Sequence, residues 1–259
     1  MELQYKVAIV TGGGRGIGEG IARVLAREGA VVVVMGRHAH EVETTAASIV
    51  ADVTDPASLD ALVRFSVESF GGLDVLVNNA GIEAPPCGLE RLEPRQWDEV
   101  LGVNLRGVYL CCRAAVPAMA ERGAGRILNI GSIAGRRMTF FGSLDYTVSK
   151  YGVEGLTQHL AWELADRRIT VNTIDPGGVV TPLMEERSTP AFRDQVTQRM
   201  IPLGRMCRMD EIGEVVAFLA SDRASMITGQ SIAVDGGLLT GFGEDLRPLV
   251  RARMAGAAR

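Results

Sequence analysis

Short apolar runs alternate along the chain with segments in which apolar residues recur at helical spacing. The first run covers residues 7–10, and Ile17, Ile21 and Val24 follow it at the spacing of one helix face. A second, uniformly apolar run covers residues 31–35. Strands that are apolar on both faces and joined through helices are typical of a parallel sheet covered on two sides. The pattern therefore predicts an α/β fold.

The rest of the chain continues this alternation. Asp55-Pro56 is typical of a helix N-cap followed by the first helical residue, and Gly71-Gly72 is typical of a helix end. Neither a repeat nor a linker-like segment interrupts the sequence. We predict one doubly wound Rossmann-type domain over residues 1–240, with a parallel sheet of about seven strands, and a C-terminal tail over 241–259. The further strands are predicted at 48–51, 75–78, 126–130, 169–174 and 231–234. Helices are predicted at 56–70, 95–119 and 146–166, with a shorter one near 210–220.

The connection between the second and third strands is short. Only 12 residues, from Gly36 to Ala47, leave one strand, cross over and enter the next. This length is about the minimum for a parallel crossover. A helix in this connection is therefore expected to be short or absent.

Charge and hydropathy limit the classes of partner. The 259 residues include 27 Lys and Arg against 31 Asp and Glu, a net charge of −4, whereas nucleic-acid-binding surfaces are basic. No apolar run approaches the roughly 18 residues of a membrane helix, and Glu2 and Lys6 interrupt any secretory-type start. The four cysteines have neither zinc-ligand spacing nor the density of a disulfide scaffold. We expect a cytoplasmic protein that binds no nucleic acid, membrane or metal.

Glycine is unusually frequent, and the excess is partly local. The chain has 31 glycines among its 259 residues, well above the roughly 7% of average usage. Five of them lie between Gly12 and Gly18, directly after the first strand. Glycines here let the backbone turn tightly, and the exposed N–H groups with the helix dipole favour a pyrophosphate. The strict G-x-G-x-x-G spacing is not met, so a flexible turn is the alternative interpretation.

A series of further motifs removes that ambiguity. Written T-G-x-x-x-G-x-G, the segment from Thr11 to Gly18 resembles the short-chain dehydrogenase/reductase family, and the resemblance continues in order over roughly residues 5 to 240. It implies a nicotinamide-dependent oxidoreductase with a single Rossmann-type domain. The other matching motifs are Asp52-Val53, Asn78-Asn79-Ala80-Gly81, Asn104, Ser132, Tyr146-x-x-x-Lys150, Pro176-Gly177 with Thr181, and Asp235-Gly236-Gly237.

The resemblance implies four catalytic residues. Tyr146 would exchange a proton with the substrate oxygen, and Lys150, one turn along the same predicted helix, would favour the phenolate and bind ribose hydroxyls. A nearby cation is needed because the unperturbed pKa of tyrosine is about 10. Ser132 would position the substrate oxygen, and Asn104 would hold a water for proton relay. Taken singly, these residues could instead form a surface contact, a turn and a solvated helix position.

The family pattern also implies the cofactor contacts. Asn79 matches the position near the adenosine ribose, and Asp52 with Val53 matches the adenine edge. Val179 and Thr181 match the loop that contacts the nicotinamide carboxamide. The short crossover implies an adenine end that is more open than usual. The predicted cofactor-binding set is Gly12, Arg15, Gly16, Ile17, Gly18, Arg37, Asp52, Val53, Asn79, Gly81, Tyr146, Lys150, Val179 and Thr181.

The end of the second strand predicts which nicotinamide is used. An acidic side chain there would bind a free ribose 2′-hydroxyl, whereas an arginine pairs with a 2′-phosphate. This chain has Gly36 and Arg37 at that place, and Arg15 in the glycine loop could reach the same phosphate. NADP(H) is therefore predicted over NAD(H). In the alternative, Arg37 is a solvated charge and Glu41 or Glu43 binds the ribose.

Two variable segments bear on the substrate. Residues 182–206 are rich in charge and methionine, which suits a mobile lid. In the segment from Arg136 to Phe141, the arginines either meet an acidic substrate or carrier protein, or form salt bridges at a subunit contact. The leading function is reduction of a small-molecule ketone. The alternatives are reduction of a 3-oxoacyl group on a carrier protein, with Arg122 and Arg126 as docking charges, and a cofactor sensor without turnover.

The family resemblance also implies a homo-oligomer, a tetramer or a dimer, formed through the helices near 95–119 and 146–166. Basic and apolar residues interleave in the tail at near-helical spacing. The tail is thus either a helix that packs on a neighbouring subunit or a frayed terminus.

Overall fold

The computed structural model describes residues 1–38, 47–84, 87–137 and 142–241. Within them, seven parallel strands form one sheet in the order β3-β2-β1-β4-β5-β6-β7. The predicted doubly wound fold is confirmed, and the third strand begins one residue earlier than predicted. The strands are β1 (Val7–Thr11), β2 (Val31–Gly36), β3 (Ala47–Val50), β4 (Val75–Asn78), β5 (Gly125–Ile130), β6 (Ile169–Pro176) and β7 (Ser231–Val234).

Helices cover both faces of this sheet. On one face Ile21, Leu25 and Val216 belong to one buried apolar cluster, and on the other Leu59 and Met119 belong to a second. The two clusters account for the strands being apolar on both faces. The helices are α1 (Gly16–Arg27), α2 (Pro56–Phe70), α3 (Pro94–Leu101), α4 (Gly107–Arg122), α5 (Leu144–Glu163), α6 (Pro182–Arg187), α7 (Pro190–Met200) and α8 (Met209–Ala220).

The sheet has a switch point at its centre. β1 pairs with β2 on one side and with β4 on the other, so the chain reverses its direction of travel across the sheet between these strands. The glycine loop follows β1 and opens at this position. In open α/β sheets the crevice at such a point, outside the carboxyl ends of the strands, is where ligands bind.

The sequence predicts one continuous helix at 95–119, and the structure instead has two helices separated by a short π-helical segment. A π-helical segment, Gly102–Arg106, separates α3 from α4 and contains Asn104. Hydrogen bonding explains the interruption, because the Asn104 amide binds both the N–H and the carbonyl of Ile82. A π-turn of this kind is often found at functional sites, where it redirects a side chain.

Some expectations from the sequence concern residues that the structure does not describe. The central residues of the short crossover, 39–46, and the tail beyond residue 241 lie outside the described residues. Within the described part, no helix is long and apolar enough to cross a membrane, and no three metal-ligating side chains form a group. Cys111 and Cys112 are buried side by side on α4.

Candidate active site

The carboxyl edge of the sheet brings the predicted motifs together. β1 ends at the glycine loop, β4 ends at Asn78, β5 is followed by Ser132, and β6 ends at Pro176. Because parallel strands all end at the same edge, motifs that are far apart in sequence become neighbours there. α5 then carries Tyr146 and Lys150 past this edge.

The glycine loop has a backbone conformation that residues with side chains could not adopt without strain or collision. Gly12 and Gly16 have φ angles of +63° and +56°, in the left-handed region that favours glycine. A Cβ atom on Gly18 would collide with the carbonyl oxygen of Gly12. Arg15 lies exposed just before α1, and Ile17 packs against the core from its first turn. The loop therefore presents backbone N–H groups at a helix N-terminus, as a pyrophosphate site requires.

The Asn79 segment fastens this loop in place. The Asn79 amide nitrogen donates to the carbonyl oxygens of Thr11 and Gly12 at 3.0 and 3.1 Å. The Thr11 hydroxyl accepts hydrogen bonds from the backbone N–H groups of Asn79 and Ala80, each at 3.0 Å. Asn79 thus shapes the glycine loop in addition to its expected place near the ribose.

The loop after β6 faces the glycine loop. A Cβ atom on Gly16 would lie 4.0 Å from the Thr181 methyl group, and that is its nearest neighbour. The Thr181 hydroxyl accepts from the N–H of Met184 and caps α6, while Val179 is buried. The predicted pyrophosphate and nicotinamide contacts therefore lie on two sides of one crevice. The residues present fit a bound dinucleotide.

The adenosine end is less enclosed. Arg37 follows β2 and is exposed, and it makes no ion pair with the part of the chain that the structure describes. Asp52 accepts hydrogen bonds from the N–H and hydroxyl of Thr54, each at 2.8 Å, and Val53 is buried beside Gly107. Glu41 and Glu43, the alternative ribose ligands, lie outside the described residues.

Tyr146 lies on α5 with its phenol near the Ser132 side chain. Burial raises the pKa of Tyr146 to about 12, and the carboxylates of Glu83 and Asp175 add to the rise, whereas the Ser132 hydrogen bond opposes it. The expected lowering of this pKa is therefore not what the structure has. The phenol keeps its proton at neutral pH.

Lys150 is buried one turn farther along α5. Its Nζ donates to the Ile130 carbonyl oxygen at 2.7 Å and lies 5.5 Å from the centroid of the Tyr146 ring. Burial lowers the pKa of Lys150 to about 8, against the opposing effect of the carboxylates of Asp175 and Glu83. The cation is held beside the phenol, as the i, i+4 spacing predicts.

Asn104 holds the loop after β4 in place through side-chain hydrogen bonds. Its amide oxygen accepts from the Ile82 N–H and its amide nitrogen donates to the Ile82 carbonyl, both at 2.8 Å. The same nitrogen donates to the Ser149 hydroxyl at 3.3 Å. A Cβ atom on Gly81 would lie 3.4 Å from the Asn104 amide oxygen. The side chain that was expected to hold a water is therefore occupied with fixing the loop and α5.

The four arginines considered for substrate, carrier or subunit contacts have partners within the chain. Arg136 pairs with Asp175, and Arg137 donates to the backbone carbonyls of Leu238 and Gly241. Arg126 is buried and bound to Asp222, and Arg122 pairs with Asp74. Arg126 is thus not the free surface charge that the carrier-protein alternative supposed.

Three acidic residues near the reaction centre were missed by sequence reasoning. Asp175 is fully buried in β6, Glu154 lies one turn after Lys150 on α5, and Glu83 follows the loop after β4. Two weak signals were present: a carboxylate directly after the strand predicted at 169–174, and an i, i+4 spacing from the lysine. Neither signal identifies a partner for either side chain.

Comparisons with known proteins agree with this geometry. Residues 12–239 match the family model described as enoyl-(acyl carrier protein) reductase. A 3-oxoacyl-[acyl-carrier-protein] reductase FabG of Staphylococcus aureus is 41% identical over 244 residues, covering 90% of this chain and 98% of that protein. Cis-4-hydroxycyclohexanecarboxylate dehydrogenase of Sinomonas cyclohexanicum is 39% identical, covering 90% of this chain and 96% of that protein.

The fold has close matches among solved structures. A protein from Sinorhizobium meliloti 1021 described as a short-chain alcohol dehydrogenase superposes with a TM-score of 0.87 at 35% identity. The match covers 93% of this chain and 99% of that one. The similarity therefore extends over the described sheet and its helices.

Proposed function

Because the chain belongs to the short-chain dehydrogenase/reductase family, we propose that it reduces a ketone to a secondary alcohol with NADPH. It is an oxidoreductase of carbonyl or CH–OH groups that uses a nicotinamide cofactor. The observation that carries the proposal is the convergence of Ser132, Tyr146 and Lys150 beside the glycine crevice. A non-catalytic sensor would not need this complete set.

The side chains at the reaction centre suit proton transfer to a substrate oxygen. The dinucleotide would supply the hydride. Tyr146 keeps its proton at neutral pH and can donate it to the oxygen as negative charge develops there. Ser132 can position that oxygen, and the Lys150 ammonium group stabilises the phenolate that remains. At neutral pH the resting phenol is therefore in the protonated form that a carbonyl reduction needs.

The 2′-phosphate would be recognised at the exposed end of the crevice. Gly36 ends β2 without a carboxylate, and the exposed guanidinium of Arg37 follows it. A guanidinium makes charge-assisted hydrogen bonds with phosphate oxygens, and Arg15 is exposed at the glycine loop. These observations support NADP(H) over NAD(H).

The walls beside Ser132 favour a substrate with an apolar group. Ile133 directly follows Ser132 and belongs to an apolar cluster with Ile201, Met206 and Leu238. In sequence, α6 and α7 lie between Thr181 and Ile201, and α7 has no fully buried residue. Few buried contacts permit local opening, so α7 suits a lid over the substrate.

Two substrate classes need to be compared. The FabG relative is named for 3-oxoacyl groups on a carrier protein, and the Sinomonas relative for a free cyclic hydroxy acid. NADPH oxidation should be measured with 3-oxoacyl thioesters on a carrier protein, the same acyl groups on a small thiol, and simple and cyclic ketones. We expect turnover that Tyr146→Phe abolishes and that Tyr151→Phe, on the exposed face of the same helix, retains.

The panel also separates the two classes. A kcat/KM for the carrier-bound thioester well above that for the small thioester would favour a carrier substrate, and equal values would favour a free ketone. Turnover with no member of the panel would contradict the proposed function.

A homo-oligomer, either a tetramer or a dimer, is proposed as the working form. Large apolar side chains are exposed on α4 and α5, with Tyr109 at 49%, Tyr151 at 48% and Trp162 at 83% of their full accessible surface. Contiguous exposed apolar surface is typical of protein–protein contacts. Light scattering on wild type and Trp162→Glu tests this, since a monomeric wild type would contradict it.

A further inference from the structure

Ser132 lies where the chain leaves the sheet. The pairing of β5 with β6 ends with the Gly131 N–H, which donates to the Ile174 carbonyl oxygen at 2.8 Å. The next N–H, that of Ser132, donates to a side chain instead: it binds Oδ1 of Asp175 at 3.1 Å. A Cβ atom on Gly131 would collide with the same Oδ1, so the carboxylate packs directly on the chain that leads to Ser132. The position of Ser132 therefore depends on the position of this carboxylate.

Asp175 is itself buried and held by donors. None of its surface is exposed to solvent, and its Oδ2 accepts a hydrogen bond from the Ser231 hydroxyl on β7. The Arg136 Nε lies 3.7 Å from the same oxygen. An ionised carboxylate can only accept hydrogen bonds, and a buried one needs such partners to offset its loss of water. The Ser132 N–H, the Ser231 hydroxyl and the Arg136 guanidinium meet that need.

This one carboxylate holds both ends of the turn that carries Ser132. The Ser132 N–H binds it at the start of the turn, and the Arg136 guanidinium faces it at the end. Between them runs a single 3₁₀ turn, and a Cβ atom on its Gly135 would lie only 2.9 Å from the Lys150 carbonyl oxygen. The turn is therefore packed against α5 as well as tied to β6.

The same turn orients the Ser132 hydroxyl. Its Oγ accepts a hydrogen bond from the Ala134 N–H at 3.1 Å. With that donor in place, the hydroxyl proton is left to be donated, and a substrate carbonyl oxygen can only accept. Because a misplacement of about 1 Å can cost about 10²-fold in rate, the hold on the Ser132 backbone bears on turnover.

We propose that Asp175 is a positioning residue that acts through Ser132, with Arg136 completing its hold on the turn. Removal of the carboxylate would leave the Ser132 N–H without its acceptor and allow the turn to shift from β6. The contribution of Arg136 is the smaller one, because its side chain is 38% exposed. The effect on turnover rests on the proposed function, whereas the hold on the Ser132 backbone does not.

A double-mutant cycle tests whether Asp175 acts through Ser132. With the best substrate of the panel, Asp175→Ala should lower kcat about 30-fold, within the range that misplacement of a reacting group produces. NADPH affinity should change little. In a Ser132→Ala background, the same substitution should change kcat by less than about threefold, because no serine hydroxyl remains to be positioned.

A conservative variant separates the hydrogen bond from the charge. In Asp175→Asn the amide oxygen can still accept from the Ser132 N–H, although the negative charge is lost. We expect its kcat to stay within about threefold of wild type. Asn172→Ala is the matched control, because Asn172 is fully buried in the same strand and binds the backbone of Ile227 and Gln230 instead. Its effect on kcat should be the same in both backgrounds.

Hydrogen exchange measures the hold without any turnover. In the full chain, exchange at the Ser132 N–H should be faster in Asp175→Ala than in wild type, and near wild type in Asp175→Asn and Asn172→Ala. If Asp175→Ala does not fold, Arg136→Gln takes its place. It should accelerate exchange at Ser132 and lower kcat about threefold, as expected for an exposed ion pair, and leave kcat unchanged in Ser132→Ala.

The outcomes separate this proposal from the proposed function. The positioning role would be overturned by a kcat unchanged in Asp175→Ala, by an equal loss in the Ser132→Ala background, or by an Asn variant as impaired as the Ala variant. Where Arg136→Gln stands in, an unchanged kcat or an equal loss in both backgrounds has the same meaning. Turnover with unchanged exchange at Ser132 would contradict the hold and leave the proposed function standing. Faster exchange in a protein that reduces no carbonyl compound would support the hold and contradict the proposed function.

Discussion

The two ends of the dinucleotide crevice are built differently. At the proposed reaction centre Lys150 and Asp175 are buried. Lys150 is hydrogen-bonded to the Ile130 carbonyl, and Asp175 to the Ser132 backbone and the Ser231 hydroxyl. At the adenosine end Arg37 is exposed and has no ion pair within the described residues. Proton transfer needs atoms held to fractions of an ångström, whereas a phosphate can be selected by one exposed cation. We therefore expect substitutions at the two ends to differ in kind as well as in size.

The largest effect is expected from Tyr146→Phe. Removing the phenolic proton donor should lower kcat by about 10³-fold, within the range that general acid catalysis supplies. NADPH affinity, measured by fluorescence titration, should change little because the ring remains. Near-normal turnover in this variant would show that the buried end of the crevice is not the reaction centre.

The next effect is expected at the glycine loop, between the two ends. In Gly18→Ala the new Cβ atom would collide with the Gly12 carbonyl oxygen. We expect the loop to shift, with a loss of about 1–3 kcal/mol in the free energy of unfolding and weaker binding of both dinucleotides. Gly155→Ala is the control, since a Cβ there has nothing within 4 Å. Unchanged dinucleotide affinity in Gly18→Ala would place the pyrophosphate elsewhere.

A smaller and selective effect is expected from Arg37→Ala. Loss of a charge-assisted hydrogen bond at an exposed site should raise the KM for NADPH about tenfold, while kcat and the KM for NADH stay near wild type. The exposed Arg167, before β6, provides a control substitution. If the preference for NADPH persisted in Arg37→Ala, Arg37 would not be the residue that selects the 2′-phosphate at the adenosine end.

The smallest effect concerns stability and pH. The pKa of Glu154 is raised from 4.5 to about 7 in the folded protein, so the folded state binds more protons than the unfolded state between these values. Unfolding free energy should therefore fall as pH rises through this window, by about 1 kcal/mol after allowing for the partial exposure of the side chain. Denaturation of Glu154→Gln across the same pH range should lack this fall, and an identical fall in that variant would contradict the assignment.

The sheet and the placement of the motifs could be predicted because both follow from short-range patterns. Apolar runs such as 31–35 identify strands, and parallel strands bring their carboxyl ends to one edge. Ser132 lies at that edge for this reason, and α5 carries Tyr146 and Lys150 past it. The i, i+4 spacing correctly placed the lysine beside the phenol.

The remaining features depend on contacts between distant segments. The π-helical segment exists because Asn104 binds Ile82, 22 residues away in sequence. The hydrogen bond from the Ser132 backbone to Asp175 depends on how β5 pairs with β6, and no local pattern encodes it. Burial also reverses the expected pKa shift of Tyr146, because removal of the phenol from water is the largest effect on its pKa.

The central claim is that the side chains at the buried end of the crevice reduce a carbonyl group with NADPH. The most direct test supplies NADPH carrying deuterium at the transferable position of the nicotinamide, together with the best ketone or 3-oxoacyl thioester of the panel. Mass spectrometry of the product should find one deuterium on the new carbinol carbon with wild type and with Tyr151→Phe, and almost none with Tyr146→Phe. Unlabelled alcohol, or equal labelling with Tyr146→Phe, would contradict the claim.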